Sequence, residues 1–121
     1  MKNIFTFFFL LIGVSAFSYN NSADVFVQSY DSGGTGYGTK SFIVNSYTSL
    51  NFRCTFTNGS SGPDSYSSGY ATLKHGGQLI DSFNYNGSNG SYNSTFTGQW
   101  YVMELNVSCS SNAIGLAQVI W

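Results

Sequence analysis

The stretch "LNFRCTFT", Leu50 to Thr57, decides the fold of this chain. Successive side chains of a β-strand point to opposite faces. Leu50, Phe52, Cys54 and Phe56 therefore share one face, and Asn51, Arg53, Thr55 and Thr57 share the other. The first face is apolar and the second polar, the period-two pattern of a strand with one side in a core. A thiol is carried into that core with the aromatic rings.

The other cysteine lies in "WYVMELNVSC", Trp100 to Cys109. The same alternation places Tyr101, Met103, Leu105, Val107 and Cys109 inward, and Glu104, Asn106 and Ser108 outward, with Val102 the exception. Two strands far apart in sequence each present a cysteine to an apolar interior. The N-terminus indicates the compartment. Lys2 precedes an apolar run from Ile4 to Val14, interrupted by Thr6 and Gly13, and small residues follow in Val14-Ser15-Ala16 and Ala16-Phe17-Ser18. This is the pattern of a secretory signal peptide over residues 1–16, cut after Ala16 or Ser18, and the run is too short for a mature membrane span. A secreted, extracellular chain is oxidised, so two inward thiols without a third competitor are expected to join. A Cys54–Cys109 bridge would close a loop of about 55 residues, worth roughly 4 kcal/mol on the chain-entropy model. Two cysteines and one histidine without close spacing do not make a four-ligand metal site.

Residues 17–121 are enough for one domain with a single core. Alternating segments recur at Val25 to Tyr30, Ser41 to Asn45, Gly69 to Lys74, Gln78 to Tyr85, Tyr92 to Phe96 and Ile114 to Trp121, besides the two already described. Clusters of Gly, Ser and Asn separate them: "DSGGTGYG", "NGSSGPDSYSSG", "HGG" and "NGSNGS". Such spacing predicts an all-β chain of seven or eight strands, an antiparallel two-sheet sandwich held by one intersheet disulfide. Composition does not change along the chain, so no domain boundary is expected.

Inward cysteines on the third and seventh segments resemble the B and F strands of an immunoglobulin-like domain. "YATLKHGGQLI" is similar to the hairpin from strand C to C′ of the intermediate set, and "CSSNAIG", Cys109 to Gly115, to the passage from strand F to G. The strand-C tryptophan of that family has no counterpart, Tyr66 or Tyr70 being nearest, and Val107 replaces the tyrosine two residues before the second cysteine. The resemblance implies a two-layer sandwich over residues 17–121.

Charged residues make up 7% of the chain, where ordinary proteins carry about 25%. Beyond the leader, Lys40, Arg53 and Lys74 face Asp24, Asp31, Asp64, Asp81 and Glu104. Three scattered cations give no footprint for nucleic acid or an anionic membrane. No second apolar run suggests a transmembrane segment, and roughly 100 residues barely supply the eight strands of the smallest outer-membrane barrel. Catalysis also lacks partners. His75 stands beside Gly76-Gly77 and reads as a turn residue, while nothing in the spacing of Asp31 and Asp81 favours a glycosidase pair. "GTGYGTKS", Gly34 to Ser41, approaches a phosphate-binding loop, but Phe42-Ile43-Val44 continues it as a strand instead of the required helix. The segment reads as a hairpin loop displaying Tyr37. No cofactor is expected.

Asn20, Asn58, Asn86, Asn89, Asn93 and Asn106 each begin an Asn-X-Ser/Thr sequon and are candidate N-glycosylation sites. The alternation puts Asn93 and Asn106 outward, where a sugar is tolerated. Tyr37, Tyr66, Tyr70 and Trp100 are the candidate ligand-binding aromatics, because exposed rings among Asn and Ser give large contact area at low entropic cost. The expectation is a secreted, non-enzymatic recognition or adhesion module for an extracellular protein or carbohydrate. The alternative is an extracellular structural or coat protein that forms homo-oligomers through sheet edges, such as the final strand "LAQVIW".

Overall fold

The computed structural model describes residues 21–29, 34–58, 67–87 and 90–121. The leader, Asn20, Asp31, Asp64, Tyr66 and Asn89 lie outside the described residues. Six strands form: β1 (Ser22–Gln28), β2 (Thr35–Asn58), β3 (Ser68–His75), β4 (Gln78–Tyr85), β5 (Ser91–Ser110) and β6 (Ala113–Ile120). Their pairings are antiparallel, in the order β1-β6-β2-β5-β3-β4. The all-β expectation holds, but the strands hydrogen-bond into one continuous sheet instead of two.

Among the described residues the strand number is corrected from seven or eight to six, because two expected breaks are not breaks. Ser41 to Asn45 and Leu50 to Thr57 belong to the 24-residue β2, and Tyr92 to Phe96 and Trp100 to Cys109 to the 20-residue β5. Where the segment Ser41 to Asn45 is expected to end, β2 carries a β-bulge. Ile43 pairs with Val102 and Ser46 with Trp100, so Val44 and Asn45 together oppose Tyr101, and Asn45 takes a left-handed φ of 52°. Because one extra residue enters β2, the inward parity of β5 changes across the bulge. Trp100 is buried before it and Met103, Leu105, Val107 and Cys109 after it. Tyr101, expected inward, is thereby turned out and is 53% exposed.

The bulge divides the sheet into two halves. Residues 35–43 of β2 pair with residues 102–110 of β5, which pair in turn with β3 and so with β4. Beyond the bulge, residues 46–55 of β2 pair with residues 91–100 of β5, and residues 51–58 pair on their other side with β6 and so with β1. The inner faces of these halves meet. Leu50, Phe52, Cys54 and Phe56 are all buried as their alternation requires. Phe56 stacks on Tyr85 of β4 at a centroid distance of 5.5 Å, and its ring lies where a Cβ on Gly69 of β3 would stand, 2.5 Å away. At the other margin, a Cβ on Gly38 of β2 would fall 2.7 Å from Cγ1 of Val25 in β1, and one on Gly36 would fall 2.7 Å from the Gln28 carbonyl oxygen. The glycines of "GTGYGTKS" thus mark close approach in a strand. They do not make the hairpin loop expected there.

The same packing corrects the disulfide. Cys54 and Cys109 are both buried, as expected, and both free. Cys109 pairs across the sheet with Gly36 and Gly69, and its thiol donates to the Ala113 carbonyl at 3.3 Å. Cys54 sits between Tyr92 and Ala117. The ring that covers Gly69, the register partner of Cys109, belongs to Phe56, two residues farther along β2 than Cys54. The thiols occupy different levels of the core, a difference that alternation alone does not encode. Burial, with the charge of Asp81 adding to it, pushes the Cys54 thiol up to about 12. Burial also raises that of Cys109, opposed by backbone hydrogen bonds from Gly36 and Ser29.

Candidate functional site

With one face of the first half-sheet committed to the core, its other face is set by alternation. Thr35, Tyr37, Thr39, Ser41 and Ile43 of β2 point outward, as do Val102, Glu104, Asn106, Ser108 and Ser110 of β5 and Tyr70, Thr72 and Lys74 of β3. Register arranges them in rows. Tyr37, Ser108, Tyr70 and Asn84 lie side by side across β2, β5, β3 and β4. The next row is Thr39, Asn106, Thr72 and Ser82, and the one after is Ser41, Glu104, Lys74 and Leu79.

Tyr37 is 66% exposed and Tyr70 45% exposed. Two strand spacings separate them, about 10 Å, with the Ser108 hydroxyl between. Below that row Asn106 is 7% exposed although its direction is outward. Its Oδ1 accepts a hydrogen bond from the Tyr37 hydroxyl at 3.1 Å, and its Nδ2 donates to Glu104 Oε1 at 2.8 Å and to Thr72 Oγ1 at 3.4 Å. A side-chain amide with both ends engaged fixes the Tyr37 ring and the Glu104 carboxylate from beneath. Beside Tyr70, a shallow depression of about 420 Å³ opens among Thr35, Ser68, Asn84, Ser108 and Ser110. The Ser68 and Ser110 hydroxyls are 2.7 Å apart there.

Such a surface offers two aromatic planes and a field of neutral hydroxyls and amides, with Glu104 and Lys74 as opposite charges on adjacent strands. Glu104 is the one carboxylate on this face among the described residues, so the paired acids of glycoside hydrolysis are not assembled. Among the described residues no group of three or more His, Cys, Asp or Glu side chains could hold a metal. His75 is engaged elsewhere. It stacks beside Tyr101 at 6.0 Å, and its Nε2 accepts the Tyr101 N–H at 3.1 Å. Asp81 accepts the Tyr92 hydroxyl at 2.5 Å, a bond that raises the tyrosine's proton affinity, with burial adding to it.

The structure brings together Tyr37 and Tyr70 of the aromatics singled out by sequence. Tyr66 lies outside the described residues. Trp100 is buried, its indole N–H donating to the Thr48 carbonyl at 2.9 Å, because the bulge turns it inward. Of the sequons, Asn86 and Asn93 are exposed. Asn58 is half-buried and accepts the Tyr85 hydroxyl at 2.8 Å. The expectation that Asn106 tolerates a sugar is corrected, since the nitrogen a glycan would occupy is the one bonded to Glu104 and Thr72. Sequence reasoning missed Asn106, Thr72 and Asn84 as members of a site. Alternation gives the outward direction of Asn106, but only the register between distant strands brings these side chains into neighbouring rows.

No family model matches the chain, and no curated protein matches it. Solved structures resemble it loosely. The isomalto-dextranase of Arthrobacter globiformis T6 complexed with panose aligns at a TM-score of 0.46 and 13% identity, over 78% of this chain and 18% of that one. The pre-peptidase C-terminal domain of collagenase from Bacillus anthracis aligns at 0.48 and 13%, over 83% and 86%. TmCBM61 in complex with β-1,4-galactotriose aligns at 0.48 and 8%, over 83% and 69%. The chain thus spans less than a fifth of the dextranase. With likenesses this loose, function has to be read from the chain's own residues.

Proposed function

We propose that this chain is a non-enzymatic recognition module that binds carbohydrate on the outer face of β2, β5, β3 and β4. One observation carries the reading: Tyr37 and Tyr70 stand exposed in a single row, with the Ser108 hydroxyl between them and Asn106 buried beneath. Sugar rings present apolar faces that pack on aromatic planes, and hydroxyls that pair with the Ser, Thr, Asn and Glu side chains around them. The scarcity of charge suits a neutral ligand. The leader of residues 1–16 supports a secreted, extracellular form beginning after Ala16 or Ser18. The two half-sheets with facing inner surfaces support an immunoglobulin-like sandwich over residues 17–121, and exposed Asn86 supports glycosylation at its sequon.

A glycan array probed with the purified chain is the test. Binding to a defined group of glycans is expected, and Tyr37→Ala and Tyr70→Ala each weaken it about tenfold, the scale of one lost aromatic contact. An array without any bound glycan, or binding unchanged by both substitutions, defeats the proposal.

A second reading is favoured by the opposite end of the same face. Ile43 is 69% exposed and its register partner Val102 54% exposed, with Leu79 also open to solvent nearby on β4. Such an apolar end, with β1 and β4 as the sheet's edges among the described residues, supports self-assembly as a structural or coat protein. Light scattering at micromolar concentration decides it: particles are expected under this reading, and a monomer that persists up to millimolar concentration removes it.

A further inference from the structure

The second half-sheet has an outer face of its own, with Arg53 near its middle. Register sets Arg53 between Gln118 of β6 and Asn93 of β5, and Thr55 of the next outward row between Leu116 and Ser91. The Arg53 side chain is exposed and directed. Its Nε–H donates to Oδ1 of Asn51. Asn51 is buried, and its Nδ2 donates to Asn93 Oδ1 at 2.6 Å, Thr95 Oγ1 at 3.2 Å and the Ser94 carbonyl at 3.3 Å. An amide anchored at its nitrogen cannot swing away, so its oxygen holds the guanidinium plane in place. With Nε engaged, the Nη1–Nη2 edge faces a partner, and that flat fork matches the two oxygens of a carboxylate. The acid of the same row does not fill this role, since Asp24 lies beyond Gln118, two strands and about 10 Å away.

A shallow depression of about 320 Å³ opens here, and its outward side chains are Arg53, Thr55, Ser91 and Asn93. Around one fixed cation stand two hydroxyls and an amide, with no apolar side chain among the four. A fatty acid or an apolar chain terminus would leave these groups without partners, whereas a ligand polar on every side would use them. We infer that Arg53, steadied by Asn51, is the centre of a second binding site, for a saccharide that bears a carboxylate, of the uronic acid type. The site uses none of the residues of the Tyr37–Tyr70 face, so either can fail without the other.

The test is a titration of ¹⁵N-labelled chain, made without N-glycosylation because Asn93 begins a sequon, with D-glucuronate, D-glucose and acetate in parallel. Glucuronate is expected to move the amide signals of Arg53, Thr55, Ser91 and Asn93, leaving Tyr70 and Ser108 in place. Glucose moves none of the four, and acetate binds at least about tenfold more weakly than glucuronate, lacking the hydroxyl contacts. Arg53→Gln is expected to abolish the response, and Arg53→Lys, which keeps the charge but loses the fork, to weaken it about 10- to 100-fold. Position 53 is exposed, so unchanged core signals certify the fold. The inference is overturned by glucuronate shifts confined to the Tyr37–Tyr70 face, by equal affinity for acetate, or by Arg53→Gln binding as the natural chain does.

Discussion

Gly69→Ala measures the packing of the two half-sheets against each other. In an ordinary strand this substitution stabilises by about 0.4–1 kcal/mol, because alanine has less freedom to lose on folding. Gly69 lacks the positive φ that would penalise alanine, so only space opposes that gain. The added Cβ would stand 2.5 Å from Phe56 Cε1, 2.7 Å from Phe56 Cδ1 and 2.9 Å from the Ser108 carbonyl oxygen. The carbonyl belongs to β5, bonded on both sides. The Phe56 ring is held between Tyr85, stacked at 5.5 Å, and Phe83 at 6.0 Å, so neither neighbour can yield freely. Overpacking of a filled core costs about 1–3 kcal/mol, which outweighs the gain. A net loss of about 1–2 kcal/mol follows.

Urea unfolding reads this as a lower midpoint at constant slope. A thermal scan reads it as a drop of about 4–8 °C for each kcal/mol in a domain of this size. Phe56→Leu destabilises by itself but opens the space, so Gly69→Ala should cost less in that background, giving a coupling of about 0.5–3 kcal/mol. A Gly69→Ala chain as stable as the natural one, with no coupling to Phe56, would refute the placement of β2 over β3 and with it the folding of the sheet upon itself.

The remaining expectations concern the thiols, the bulge and the buried amide. Unfolding without reductant should release two thiols to a colorimetric reagent, against none from a bridged chain, and the native chain at pH 8 should react far more slowly. Cys54 has its proton affinity raised in the folded state, from 9.0 to about 12. The folded chain therefore binds the proton more tightly than the unfolded one, and this contribution to stability is complete below pH 9 and lost as pH rises toward 12. Cys54→Ala should flatten that stretch of the stability–pH curve, which alkaline unfolding followed by fluorescence would show. At the bulge, Asn45→Gly should leave stability within about 0.5 kcal/mol, whereas Asn45→Val should cost about 1–2 kcal/mol because a branched residue resists a left-handed φ, as the thermal midpoint will report. Asn106→Ala should cost about 1–3 kcal/mol by leaving Tyr37, Thr72 and Glu104 without their partner, and should weaken glycan binding even where the fold survives.

Alternation along the chain determined a good deal here. The burial of Leu50, Phe52, Cys54 and Phe56, that of Met103 to Cys109 at every second position, and the all-β class all follow from a local rule: a strand that buries one face must carry apolar residues at period two. Three matters escaped that rule because each depends on which distant residues meet. An extra residue at Val44 and Asn45 reversed the direction of Tyr101 and Trp100, a shift visible only in the pairing of β2 with β5. Glycines at positions 36 and 38 read as a loop by composition, yet they are strand positions cleared for β1 to pass over. Cys54 and Cys109 both turned inward, but direction is a property of each strand and level a property of two, and Phe56 took the level that a bridge required. The row of Tyr37, Ser108 and Tyr70 has the same origin, for it is assembled by the register of three strands whose residues lie far apart in the chain.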